Sequence, residues 1–371
     1  MTKGRPIASL LAATLAGAAL AACGGEDDPA AEATTATAPA AEATTEADLG
    51  AVKEYLLDHT EQLTGFTADF KADAEAYYGM AEEAGFDYEA LWSERADELF
   101  PLLEEMKAAW IDGNPAYERM EGVVAGTPSL AEYDVILDAG SSAAEDPESA
   151  VPFDLELADG TTLTQPGNLF NLTEGALWGT VPDDLPQSTP VDHDGDGTEG
   201  FGEVLPDAAF LLAAAEAFDR YAGELATSAD GWEPSESDAF TALVVMVPTM
   251  SEYFGQWKES RFVQGSSSES ASFNVVSRLS DINDILAGLE VIFAGVEPRL
   301  AEVDPAQAQQ TGRELTDLRS FVEDLYSREE SGERFAPEQA DVLGTEAQER
   351  ATAIAGQVSQ AAAELGVTIE Q

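Results

Sequence analysis

One cysteine and two histidines are all that this 371-residue chain has of those residues, and each shortage closes off a class of chemistry. With Cys23 alone, the chain can form no internal disulfide, no multi-thiolate metal site and no cysteine nucleophile inside a folded core. His59 and His193 are too far apart for a His-Glu-x-x-His zinc helix. A serine triad would need one of them as its base, and no partner nucleophile stands out. Glycine-rich phosphate loops are absent as well. Basic residues are scarce: 17 Lys and Arg, five of them lysine, stand against 72 Asp and Glu, giving a formal charge of −55 at pH 7. A polyanion of this kind is repelled by nucleic acid and by anionic lipid heads, so neither is expected as a partner. Adaptation to salt explains such a charge, and so does a surface that gathers cations; composition alone does not separate the two.

Long apolar runs are confined to the start of the chain. Lys3 and Arg5 form a short basic region, and residues 7–22 are almost wholly small or apolar. That stretch falls short of the ~20 apolar residues of a membrane span and reads as a signal peptide over 1–22. It ends in Leu20-Ala21-Ala22-Cys23, which resembles the lipobox of prolipoproteins: small residues admit the peptidase, and the thiol of Cys23 takes the lipid. The expectation is an exported protein anchored to the cell membrane by lipid on Cys23 and facing the periplasm or the cell exterior. Residues 23–48, rich in Ala, Thr and Pro, have almost nothing to bury and read as a disordered tether.

From there on, helical periodicity dominates. Val52, Leu56, His59, Leu63, Phe66 and Phe70 recur every three or four residues, as do Leu279, Ile282, Leu286, Leu289, Phe293, Val296 and Leu300; both are seams of a helical bundle. Further helices are expected near 88–111, 115–125, 207–228, 236–260, 307–328 and 338–365, with Pro305 and Pro337 suited to first turns. Leu155 and Leu157, then Asp159-Gly160, then Thr161 to Leu163 predict a small hairpin. The fold class is therefore all-α, with an N-terminal helical lobe over 49–180 that carries the hairpin, an acidic connection over 181–205, and a C-terminal bundle over 206–371. His59, on an apolar seam, is expected to be a hydrogen-bonded core residue.

Within the connection, Asp192, Asp194, Asp196, Gly197, Thr198 and Glu203 follow the spacing of a calcium loop. Side-chain oxygens come at positions one, three and five, a glycine turn at six, a backbone carbonyl at seven and a bidentate carboxylate at twelve. Position eight is Glu199 instead of an apolar residue, and the stretch 186–190 cannot be an entering helix. This is an isolated calcium loop and not half of a paired sensor, with His193 pointing outward from it.

Three segments carry a resemblance. Tyr117-Glu118-Arg119-Met120-Glu121 looks like the Tyr-Glu-Arg-Ile-Glu helix of the imelysin-like family. Asn171 to Gly179 resembles its His-x-x-Glu segment followed by Leu-Trp, and Ser280 to Asp284 is similar to the opening of its final bundle. The likeness runs loosely from about 50 to 367. It implies an all-helical fold of two bundle-like lobes with a site between them, and kinship with periplasmic components of Efe-type iron uptake and insulin-cleaving membrane proteases. The family histidine, however, is Asn171 here, a neutral amide far weaker for iron or zinc. Glu174 keeps its place, and Glu118 with Glu121 forms a second i, i+3 pair.

These readings converge on a membrane-anchored, non-catalytic lipoprotein that binds iron or another hard cation through Glu118, Glu121, Asn171 and Glu174 between its lobes. It would work in support of uptake, with a membrane-embedded iron transporter as partner and calcium in the acidic loop. The alternatives are a metal-dependent peptidase, which the loss of the motif histidine disfavours, and a protein-binding bundle whose site has decayed.

Overall fold

The structure is a computed structural model that describes residues 47–370. The signal peptide, Cys23 and nearly all of the tether lie outside the described residues. The described residues form one compact unit, helical as the periodicity implies apart from two short strand pairs, and no described helix is long and apolar enough to cross a membrane.

Helix α1 (Gly50–Glu83) buries Val52, Leu56, His59, Leu63 and Phe70 along its seam. Each fully buried Leu or Phe contributes roughly 1.5–3 kcal/mol. Gly85, at φ 68°, turns the chain, and Asp87 caps α2 (Tyr88–Val124) by accepting from the Ala90 amide at 3.0 Å. The expected break near residue 112 is absent: α2 runs through both Pro101 and Pro115 and departs from helical geometry at Arg95 instead. α3 (Ala131–Asp134) passes directly into a π-helical turn, Val135–Ala139.

The predicted hairpin is present as β1 (Asp154–Glu156) and β2 (Thr162–Thr164), with Leu155 opposite Leu163 and Gly160 in the turn at φ 87°. After α4 (Leu169–Trp178), the short pair β3 (Thr189–Pro190) and β4 (Val204–Leu205) closes the base of the acidic loop. α5 (Ala208–Gly231) follows, then α6 (Glu236–Met246) and α7 (Met250–Glu259), separated by a single turn at Pro248 where one longer helix was expected. α8 (Arg261–Gln264) precedes a serine-rich segment. α9 (Arg278–Val303), α10 (Pro305–Glu330) and α11 (Pro337–Leu365) complete the chain.

Helices from the two sides of the 181–205 connection share one core, α5 lying along α1 and α9 along α2. The α2–α9 crossing is the one that matters for the site. A Cβ on Gly288 would come within 2.3 Å of the Arg119 carbonyl oxygen, and one on Gly122 within 3.0 Å of the Leu289 side chain. Glycine at both positions lets the backbones approach closely enough for polar residues one turn away to meet.

Candidate functional site

Five elements bring their acids to one point. Glu118 and Glu121 stand on one face of α2. Asp134 ends α3, and Asp138 sits in the π-helical turn. Asp281 lies in the first turn of α9, and Glu174 is on α4. Together with Arg278, the first residue of α9, these side chains are at most 9% exposed. Six buried carboxylates thus surround one guanidinium.

Arg278 is fully engaged. Its Nη1 donates to Asp281 Oδ2 at 3.1 Å and lies 3.5 Å from Glu118 Oε2, its Nη2 donates to Asp138 Oδ2 at 3.3 Å, and its Nε donates to Gln256 Oε1 at 2.8 Å. The Phe273 ring lies 3.8 Å and the Tyr253 ring 5.0 Å from the guanidinium carbon. Neutral donors serve the rest: Tyr253 Oη donates to Glu121 Oε1 at 2.6 Å, Tyr117 Oη to Asp134 Oδ1 at 2.7 Å, and Asn114 Nδ2 to Asp281 Oδ1 at 3.2 Å. Glu121 Oε2 and Asn171 Oδ1 find no hydrogen-bond donor among the described residues, and Glu118 Oε2 has only its ion pair with Arg278. Buried acceptors left without a donor are unfavourable, which leaves room here for a proton or a bound cation.

Burial is also the main reason that five of these acids hold their protons more tightly than usual. It pushes Glu118 well above the usual carboxylate range, helped by Asp281, Asp138 and Glu121. Glu121 rises to about 8, with Asp134 and Asp138 adding to burial. Asp134 rises to about 7 against the Tyr117 hydrogen bond, Glu174 to about 7 and Asp281 to about 6. One positive charge does not neutralise six acids in a dry site; protons or a second cation must supply the balance. One oxygen from each of Glu118, Glu121 and Asp138 lies within 4.8 Å of the others, a spacing able to hold a metal ion. Above them opens a cavity of about 830 Å³, lined in part by Glu121, Asp134, Asp138, Asn171, Tyr253 and Arg278.

Of the four residues expected there, Glu118 and Glu121 meet, and Asn171 lines the same cavity. Asn168 caps α4 through the Asn171 amide and donates to the Gly140 carbonyl oxygen at 3.0 Å, fixing α4 to the end of the π-turn. Glu174 does not join the ligand set. Its carboxylate accepts from the backbone amides of Phe273, at 3.0 Å, and Asn274, at 2.8 Å. Asp138 takes the place expected for it. Sequence reasoning missed Asp134, Asp138, Tyr253 and Arg278. A signal did exist for Arg278: it is one of few basic residues, it precedes the apolar seam of α9 by one position, and it is three residues from Asp281.

In the acidic loop, Asp192, Asp194 and Asp196 each bring an oxygen within 4.8 Å of the others while remaining exposed. Asp192 accepts from the amides of Gly195 and Gly197, and Thr198 donates through both its amide and its hydroxyl to Asp196 Oδ1. Glu203, expected to ligate through both oxygens, is not part of that cluster and accepts from the amides of His193, Asp194 and Gly200. These hydrogen bonds hold Asp196 and Glu203 below the usual carboxylate range. His193 departs from expectation: it turns inward, its ring 3.7 Å from that of Phe100 and 5.6 Å from that of Trp92, and burial lowers its pKa. With Lys107 Nζ donating to the Gly202 carbonyl oxygen at 2.8 Å, this docks the loop on α2. His59 is the core residue its seam implies, its Nδ1 2.7 Å from the Tyr55 carbonyl oxygen.

The family model described as imelysin, peptidase M75, matches residues 27–360. No curated protein matches the chain.

Proposed function

The chain belongs to the imelysin family, and on that premise we propose that it is an exported, lipid-tethered protein that captures a hard cation, iron foremost, at Glu118, Glu121 and Asp138. The observation that carries this reading is that oxygens of the buried Glu118, Glu121 and Asp138 lie within 4.8 Å of one another, with Glu121 Oε2 lacking a hydrogen-bond donor among the described residues and Glu121 and Asp138 lining the cavity. An all-oxygen set suits iron, manganese or calcium and is poor for zinc, which favours nitrogen and sulfur.

Capture would couple to protons. Glu118 and Glu121 give theirs up as the ion arrives, and Tyr253 keeps Glu121 oriented through its hydroxyl. The cavity offers the path in and out, and hand-over to a membrane-embedded transporter would follow from tethering through Cys23. The peptidase alternative draws no support from the site's geometry: both histidines are spent elsewhere, His59 in the core and His193 on α2.

Titration calorimetry tests the reading, with the acidic loop disabled by Asp194→Ala and Glu203→Gln. Ferrous iron and manganese should bind once per chain, and Glu118→Gln or Asp138→Asn should weaken binding at least tenfold. If these variants bind every metal as the parent does, the site does not exist. Peptidase activity abolished by Glu118→Gln would instead establish the alternative.

A further inference from the structure

We infer that Arg278 is the resident counter-cation of the carboxylate site and that it restricts the site to divalent ions. The inference rests on the cation-binding reading above and names the charge class of its ligand.

The argument starts from shared acceptors. Glu118 and Asp138 are two of the three residues whose oxygens could hold an ion, and both already face the Arg278 guanidinium, at 3.5 and 3.3 Å. An incoming cation therefore competes for these oxygens and also sits beside a fixed positive charge. A lysine or histidine in this place could leave by losing its proton; a guanidinium does not do so in a protein. The repulsion between Arg278 and the incoming ion grows in proportion to the ion's charge. A trivalent ion is thus penalised more than a divalent one of the same size, and at this depth solvent does little to screen the difference.

The guanidinium is also clamped. The Phe273 ring centroid lies 3.8 Å from the guanidinium carbon, and the backbone of Phe273 is held at φ 58°, a conformation seldom adopted by a bulky residue. What holds it there is Glu174, whose two oxygens accept from the amides of Phe273 and Asn274. On its other side, Gln256 takes the Arg278 Nε–H at 2.8 Å. Glu174 is in this sense a positioning residue: through Phe273 it fixes where the resident charge stands.

The test compares manganese(II) with terbium(III), in the background with the acidic loop disabled, by calorimetry and by sensitised terbium luminescence. Arg278→Met should tighten manganese binding at least tenfold and terbium binding at least a hundredfold. Equal factors for the two ions would overturn the inference. If Arg278→Met does not give a cooperative melt, Phe273→Ala is the second arm. It unclamps the guanidinium without removing it and should shift the terbium-to-manganese affinity ratio at least threefold; an unchanged ratio refutes the clamp and the inference with it. Wild type that binds neither ion, beside an Arg278→Met variant that binds both, would support the role of Arg278 and end the proposed function. If no variant binds either ion, both fall.

Discussion

Replacing the buried Glu121 by its isosteric amide should stabilise the protein, and by an amount that depends on pH. The carboxyl is 2% exposed and is raised from 4.5 to about 8. A folded-state pKa above the unfolded value means that the native state holds the proton longer. The associated stability is fully present below about pH 4.5 and is lost as pH rises through about 8. At about 1.4 kcal/mol per pH unit, the rise from 4.5 to about 8 costs the folded state on the order of 5 kcal/mol by pH 9. Glu121→Gln has no proton to lose, and its carbonyl oxygen can still accept from Tyr253. Roughly 320 folded residues imply an unfolding entropy of about 0.7 kcal/mol/K, so the gain is about 7 °C in Tm. Differential scanning fluorimetry of both proteins without added metal, from pH 5 to 9, measures it. The curves should lie close together at pH 5, diverge steadily between about pH 5 and 8, and run parallel above that, with the variant higher. Adding a binding cation should close the gap, because only the wild type has the ionised oxygen to offer it. A difference that is constant with pH, or a variant that melts lower at pH 9, would refute the reasoning. Carboxylates kept against such a penalty are the mark of a functional site more than of a structural one.

Three further outcomes follow from other parts of the chain. Cys23→Ser should move the protein from the membrane to the soluble or unprocessed fraction in detergent partitioning, and full retention at the membrane would end the lipoprotein reading. Calcium binding to the Asp192–Glu203 loop should raise Tm by mass action, roughly 2.7 kcal/mol at a hundredfold excess over Kd, and Asp194→Ala with Glu203→Gln should abolish that rise; melting curves that ignore millimolar calcium and chelator alike would count against it. Asn171→His puts an imidazole where an unpaired amide oxygen lines the cavity, so calorimetry should show a larger affinity gain for zinc or ferrous iron than for calcium, and equal gains would remove Asn171 from the site.

Much of the fold was legible in the sequence, because the signals are local. The α9 seam, Leu279 through Leu300, is buried at every expected position, since apolar residues spaced three and four apart have only one way to leave water. Asp159-Gly160 announced the β1–β2 turn through the backbone conformation it needs, and Pro305 and Pro337 mark true first turns. The misreadings were local as well. The break expected between helices near 88–111 and 115–125 is absent, and α2 runs unbroken through Pro115. His193 was assigned outward by the habits of calcium loops, and the two aromatic rings on α2 turn it inward.

What the sequence by itself determined was the helical class, the seams, the hairpin, and the pairing of Glu118 with Glu121 on one face. Which of 72 acidic residues share a buried site was decided only by tertiary structure. The contacts that settle it span 140 residues between Asp138 and Arg278 and 100 between Glu174 and Asn274, distances over which helical periodicity carries no information. They exist because Gly122 and Gly288 let α2 and α9 cross closely. That crossing sets Arg278 among the acids, and the fold behind it spends Glu174 on a pair of backbone amides and leaves Asp138 to face the cavity.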